Sequence, residues 1–172
     1  MPDLRDELVT TAVSASERVF EGRVWDVRRE TFDLDGSAIT RDFVDHTGAV
    51  AVLAMDERGR VLLIKQYRHP VRARDWELPA GLLDLDGESP LAAAQRELAE
   101  EADLVAEHWQ VLSEFMTSPG GSNEVVRVYL ARGVAATPEA FARTEEEAGI
   151  ELRWVPHDQA VDAVLRRDLQ NS

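Results

Sequence analysis

Arg96-Glu97-Leu98-Ala99-Glu100-Glu101 sets a guanidinium and three carboxylates within six consecutive residues. Wound into a helix, Glu97 and Glu101 are i,i+4 neighbours and Glu97 and Glu100 are i,i+3 neighbours, so the three share one side. Like charges at that spacing cost an isolated helix roughly a few tenths of a kcal/mol per pair. Carboxylates converging beside an apolar face suit a hard divalent cation, because Mg²⁺ takes oxygen ligands and commonly binds substrate phosphates at the same time. Arg96, i,i+4 from Glu100, is placed to hold that carboxylate in one rotamer. A solvated acidic face carries the same run of charge, and the charges alone leave both readings open. Lys65 to Arg74 is the only strongly positive stretch, and composition alone reads it equally well as a solvated loop.

The carboxylates need a helix to hold them. Ser89 fits an N-cap and Pro90 the first helical position, so a helix is expected from there through Ala102. At about 100° per residue Leu91, Ala94, Leu98 and Ala102 fall near one meridian, which should pack on a sheet. Strands are expected at Gly48 to Met55, ended by the turn Asp56 to Gly59, then at Val61 to Ile64, near Trp109 to Met116, at Val125 to Ala131 and at Ile150 to Val155. The acidic loop Thr144 to Glu147 precedes the last of these. A final amphipathic helix is expected from about Asp158, through Val161, Val164, Leu165 and Leu169. From Arg18 to Val44 the alternation around Asp33-Leu34-Asp35-Gly36 reads as an antiparallel hairpin, and residues 1–16 as a loose arm or a short strand lead-in. The mixture of elements predicts one α/β or α+β domain over residues 46–172, with residues 1–45 as an arm and hairpin appendage.

The chain has 172 residues with 19 Lys+Arg against 33 Asp+Glu, a formal net charge of −14. That surplus argues against nucleic acid or an anionic membrane as a partner. A polyanionic substrate would need a cation between it and the protein. Cysteine is absent, which removes thiolate metal sites and nucleophiles and agrees with a reducing compartment. The N-terminus lacks a basic and then apolar leader, and the longest apolar run, Ala49 to Met55, is a strand's length, so a soluble cytoplasmic protein is expected.

Gly81-Leu82-Leu83-Asp84-Leu85-Asp86-Gly87-Glu88, followed by Arg96-Glu97-Leu98-Ala99-Glu100-Glu101-Ala102-Asp103-Leu104, resembles the Nudix box. That pattern is Gly, five residues, Glu, seven residues, then Arg-Glu-apolar-any-Glu-Glu-any-Gly-apolar. Two positions depart from it: six residues separate Gly81 from Glu88, and Asp103 stands where the pattern has Gly. The latter position favours a left-handed backbone, at a cost of about 1 kcal/mol for Asp. The chain further resembles the ADP-ribose pyrophosphatase branch of actinobacterial type, through Gln66-Tyr67-Arg68-His69 with Trp76-Glu77-Leu78-Pro79-Ala80-Gly81, through Ser118-Pro119-Gly120 with Ser122 and Glu124, and through Glu145-Glu146-Glu147 before Ile150.

The resemblance implies a Nudix α/β/α sandwich with a mixed sheet plus the N-terminal antiparallel β-hairpin, and Mg²⁺-dependent hydrolysis of ADP-ribose to AMP and ribose 5-phosphate. It implies Mg²⁺, or Mn²⁺ in its place, on Glu97, Glu100, Glu101 and the Ala80 carbonyl. Arg96 and Glu100 would serve catalysis with Glu146 as general base, Glu145 and Glu147 being the alternatives. Arg68, Glu77, Pro119 and Gly120 would contact substrate. It also implies a homodimer in which the hairpin crosses over and Phe20 or Trp25 stacks on adenine, core packing being the competing role for both. Relatives continue beyond Ser172, so a further C-terminal segment is expected. Competing activities are hydrolysis of another nucleoside diphosphate derivative, such as a sugar nucleotide, and nucleotide sensing without cleavage.

Overall fold

Asp35 and Gly36 both adopt positive φ, 53° and 82°, the two-residue turn whose twist matches that of the strands it joins. They connect β2 (Asp26–Leu34) to β3 (Ser37–Asp45) in unbroken antiparallel register from Asp26 opposite Asp45 to Leu34 opposite Ser37. The computed structural model describes residues 4–143 and 149–171. These divide into two units, one of Met1–His46 with Ser118–Glu124 and one of Thr47–Thr117 with Val125–Ser172.

In the first unit β1 (Val13–Phe20) adds antiparallel to β2, giving the order β1-β2-β3. Residues 13–16 therefore belong to a paired strand, the lead-in form of the two readings of the arm. Cross-strand charge pairs bind this sheet: Arg29 forks onto Asp42 at 2.7 and 2.8 Å, and Arg28 reaches Asp45 at 2.9 Å. Residues 118–124 clasp the end of β3. The Val44 N–H donates to the Gly121 carbonyl at 2.9 Å, and the Asn123 side chain accepts from the His46 N–H at 2.7 Å and donates to Asp45 at 2.9 Å.

The second unit holds two sheets. One is mixed, in the order β7 (Ala80–Leu82), β4 (Ala49–Ala54), β9 (Val125–Ala136), β8 (Leu104–Met116), with β4 and β9 parallel and the other pairs antiparallel. The other is antiparallel, in the order β10 (Glu151–Pro156), β5 (Arg60–Arg68), β6 (Ala73–Glu77). The helix α1 (Pro90–Ala102) packs on the mixed sheet and α2 (His157–Leu165) packs near β10 and β5. Val50, Val52 and Ala54 of β4, Leu62 of β5 and Tyr129 and Ala131 of β9 form the core with Ala93, Ala94, Leu98 and Ala102 of α1.

Several boundaries move from those expected, for tertiary reasons. The positive stretch is a β5–β6 hairpin instead of a loop. Lys65 Nζ and Arg153 Cζ lie 5.3 and 4.6 Å from the Trp76 ring centroid, so part of its charge rests on an aromatic face. Leu91 is exposed, and the inward face of α1 is shared by Ala93, Glu97 and Glu101. α2 ends at Leu165, and its Val161, Val164 and Leu165 face outward, so its amphipathic pattern buries no side chain. No helix among the described residues is long and apolar enough to cross a membrane.

Leu98 joins α1 to the sheet with no surface exposed. Leu98→Ala should lower unfolding free energy by about 3 kcal/mol, within the range of large-to-small core truncations, as read from urea melts.

Candidate active site

The helix that carries the carboxylates begins as its sequence requires. Ser89 is the N-cap, its hydroxyl accepting from the Ala92 N–H at 3.2 Å, and Pro90 fills the first helical position, where a missing N–H costs nothing. Asp103 ends it in the left-handed region, φ 55° and ψ 38°, with its N–H returned to the Ala99 carbonyl at 3.0 Å.

Between these caps, Glu97 and Glu101 turn toward β7, and both are buried. Burying a carboxylate costs several kcal/mol unless donors replace the lost water. Glu101 accepts the Ala80 backbone N–H at 2.9 Å, and Glu97 accepts from Arg96 Nη1 at 2.6 Å. Glu97 lies against the backbone of Gly81 so closely that a Cβ there would sit 1.9 Å from its Oε1 and 2.0 Å from its Cδ. Gly81 is thus required by the approach of a carboxylate, not by a turn.

Arg96 binds more than Glu100, the partner its spacing predicts. Its Nε and Nη2 fork onto both oxygens of Glu88 at 3.0 Å each, while Nη1 reaches Glu97 and, at 3.2 Å, Glu100. One guanidinium therefore gathers three carboxylates, using the planar fork that distinguishes it from an ammonium. The hydrogen bonds from Arg96, opposed by partial burial, hold the Glu88 carboxyl below its ordinary range, and Glu88 in turn raises the pKa of Arg96. The seven-residue interval from Glu88 to Arg96 was the sequence signal for this pair.

Among the described residues no three acidic or histidine side chains already converge into a cage for a cation. The acidic groups are held by Arg96 and Ala80 instead. Their chemistry nonetheless fits a hard cation. The donors are all carboxylate oxygens, two are buried and braced, Glu100 is partly exposed beside them, and the chain has no cysteine to favour a softer metal.

At the ends of β5 and β6, Arg68 and Glu77 meet each other. Arg68 donates from Nη2 and Nε at 2.8 and 3.2 Å, Gln66 donates from its side chain amide, and Asn171 Nδ2 donates at 2.7 Å. The Glu77 side chain is 6% exposed and that of Arg68 41%, so Arg68 is the member of the pair that solvent and solutes reach. Gln66 stood in the sequence only as part of the Gln66-Tyr67-Arg68-His69 run, and Asn171 carried no signal there. Asn171 lies 94 residues from the carboxylate it contacts.

Pro119 and Gly120 lie in the turn of the first unit, closed by the Gly121 and Ser122 N–H groups on the Ser118 carbonyl at 2.9 and 3.0 Å. In the same unit Phe20 is 61% exposed and Trp25 43%, so neither fills a core. Trp25 stacks on His46 at 5.3 Å between centroids, and His46 Nε2 lies 3.4 Å from Glu124. Glu145, Glu146 and Glu147 lie outside the described residues.

Residues 45–171 match the NUDIX domain. The chain is 46% identical over 161 residues to an ADP-ribose pyrophosphatase of Mycobacterium tuberculosis, covering 92% of this chain and 76% of that one. It is 36% identical over 159 residues to an ADP-ribose pyrophosphatase of Bacillus subtilis, covering 92% and 85%, and 33% identical over 158 residues to a methanol dehydrogenase activator of Bacillus methanolicus, covering 91% and 84%. A solved structure of an ADP compounds hydrolase superposes with a TM-score of 0.76 at 20% identity, over 97% of this chain and 89% of that one, and so shares its fold. The chain belongs to the Nudix family, and the sandwich of mixed sheet and helices expected from its sequence is the fold it adopts.

Gly81→Ala should drive the Glu97 carboxylate off its seat and reduce turnover at least about tenfold, while thermal melting stays near wild type, because the clash is with a side-chain end. A carboxyl whose folded-state pKa is depressed contributes stability that is present above its unfolded value and lost as pH falls through the folded one. Glu88→Gln should therefore flatten the acid limb of stability below about pH 4.5, read as melting temperature between about pH 3 and 6.

Proposed function

We propose that this chain hydrolyses the diphosphate of ADP-ribose, adding water to give AMP and ribose 5-phosphate. The observation that carries the reading is the braced set of Glu97, Glu100 and Glu101 in a chain 46% identical to an ADP-ribose pyrophosphatase. Glu97, Glu100 and Glu101, with the Ala80 carbonyl, would hold Mg²⁺ or Mn²⁺. A divalent cation so bound neutralises diphosphate charge and lowers the pKa of an attacking water. Arg96, bonded to Glu88, Glu97 and Glu100 at once, holds Glu97 and Glu100 in fixed orientations. Arg68, oriented from behind by buried Glu77, supplies a charge-assisted contact to a phosphate oxygen. Pro119 and Gly120 are further proposed substrate contacts. Glu146, with Glu145 and Glu147 as its alternatives, takes the proton of the attacking water. The enzyme works in the cytoplasm as a homodimer, with residues 1–45 as the dimerising appendage to a catalytic domain over 46–172 and Phe20 or Trp25 available to adenine.

Product release from ADP-ribose, a sugar nucleotide and a nucleoside triphosphate, each with Mg²⁺ and with EDTA, tests this reading. ADP-ribose should be preferred, EDTA should abolish turnover, and Glu97→Gln and Glu101→Gln should each lower kcat by at least about 100-fold. Preference for the sugar nucleotide would reject the substrate, and tight binding without turnover would reject the enzyme. Glu146→Gln should lower kcat by about 100-fold with the metal still bound, as loss of a general base does, and an unchanged kcat would remove Glu146 from that role.

A further inference from the structure

Asp103 occupies a backbone conformation that glycine adopts without strain, so a helix end alone does not call for its carboxylate. That carboxylate is engaged far along the chain. It accepts the Phe141 N–H at 2.7 Å and a hydrogen bond from the Arg143 guanidinium. Arg143 Nε also donates to the Glu100 backbone carbonyl at 3.0 Å, one of the last carbonyls of α1 that lack a partner within the helix. The Asp103 carbonyl accepts the Thr137 N–H at 2.9 Å, which ties the start of the same stretch to the same point. Four hydrogen bonds thus fasten residues 137–143 to the C-terminal end of the carboxylate helix, and two of them converge on one side chain that the Nudix pattern does not contain.

We infer that Asp103 and Arg143 are positioning residues for the hydrolysis: together they hold the chain just ahead of the acidic triplet at a fixed point beside Glu100. The inference rests on the proposed reading that a glutamate of that triplet is the base. In the sequence Glu146 follows Arg143 by only three residues. A base acts only within hydrogen-bond reach of its proton, and a misplacement of about 1 Å can cost about 100-fold in rate.

The test compares Asp103→Gly, Asp103→Asn, Arg143→Ala and the double variant Asp103→Gly/Arg143→Ala by steady-state kinetics on ADP-ribose, thermal melting and amide hydrogen exchange. Asp103→Gly keeps the left-handed cap, so its melting temperature should match or exceed wild type. Its kcat should fall about tenfold with KM and the Mg²⁺ half-activation concentration within about twofold, while exchange at Phe141 accelerates at least about tenfold. Arg143→Ala should do the same, the double variant should lose no more than either single one, and Asp103→Asn, which retains an acceptor for the Phe141 N–H, should recover most of kcat. Wild-type kcat in Asp103→Gly, or a loss confined to KM or to metal activation, would overturn the inference. So would unaltered exchange at Phe141. Glu146→Gln, assayed alongside, separates the two claims: if it alone retains full kcat the base assignment fails, whereas the positioning role fails only on the Asp103 and Arg143 variants.

Discussion

Two like charges, the carboxylates of Glu97 and Glu101, are buried on one flank of α1 one turn apart, and the second unit is arranged to make that tolerable. Left alone they would repel each other and forfeit their hydration. Each is met by a donor fixed elsewhere: the Ala80 N–H on the strand beneath and the Arg96 guanidinium on the helix itself. Arg96 can serve because Glu88, just before the helix, takes the fork of its Nε and Nη2 and leaves Nη1 for Glu97 and Glu100. Gly81 supplies room where any side chain would intrude. The arrangement concentrates oxygen donors at one helix flank without collapse or neutralisation, which is the condition a hard cation and a diphosphate require of a protein with a net charge of −14.

The rest of the second unit serves that flank. Small side chains at Ala93, Ala94 and Ala102 let α1 lie close on β4 and β9, and Leu98 fills the gap between them. The Val52 N–H donates to the Pro79 carbonyl at 2.8 Å, so β4 fixes the short segment from which Ala80 reaches Glu101. At the end of β6, two residues before Pro79, buried Glu77 repeats the same physics with opposite emphasis. One carboxylate is met by donors from three residues, and the charge left facing solvent is the Arg68 guanidinium.

What was legible in the sequence was what is local in the chain. Ser89 and Pro90 announced the helix start, the spacing of Glu97, Glu100 and Glu101 announced their shared side, and Asp103 in a glycine position announced the left-handed cap. Asp35-Gly36 announced the hairpin turn for the same reason. Less was legible where distant residues decide. Leu91 has the periodicity of a core residue yet lies outside because the helix turns its Glu97 and Glu101 inward. β6, Ala-Arg-Asp-Trp-Glu, has no strand alternation, and its register is imposed by β5. The Asn171 to Glu77 and Arg143 to Asp103 contacts span 94 and 40 residues and exist only once the fold has formed. For the hairpin aromatics Phe20 and Trp25 the sequence favoured core packing, yet both are exposed, because hydrophobicity alone does not record which large apolar side chains stay outside.

The cation site proposed on Glu97, Glu100 and Glu101 should take Mn²⁺ as well as Mg²⁺. Titration of free Mn²⁺, followed by its electron paramagnetic resonance signal, measures this directly in the wild-type protein and in Glu97→Gln. The wild type should take up Mn²⁺ at a specific site, and the variant, still folded, should bind it at least about tenfold more weakly. Equal Mn²⁺ affinity in the two proteins would contradict it.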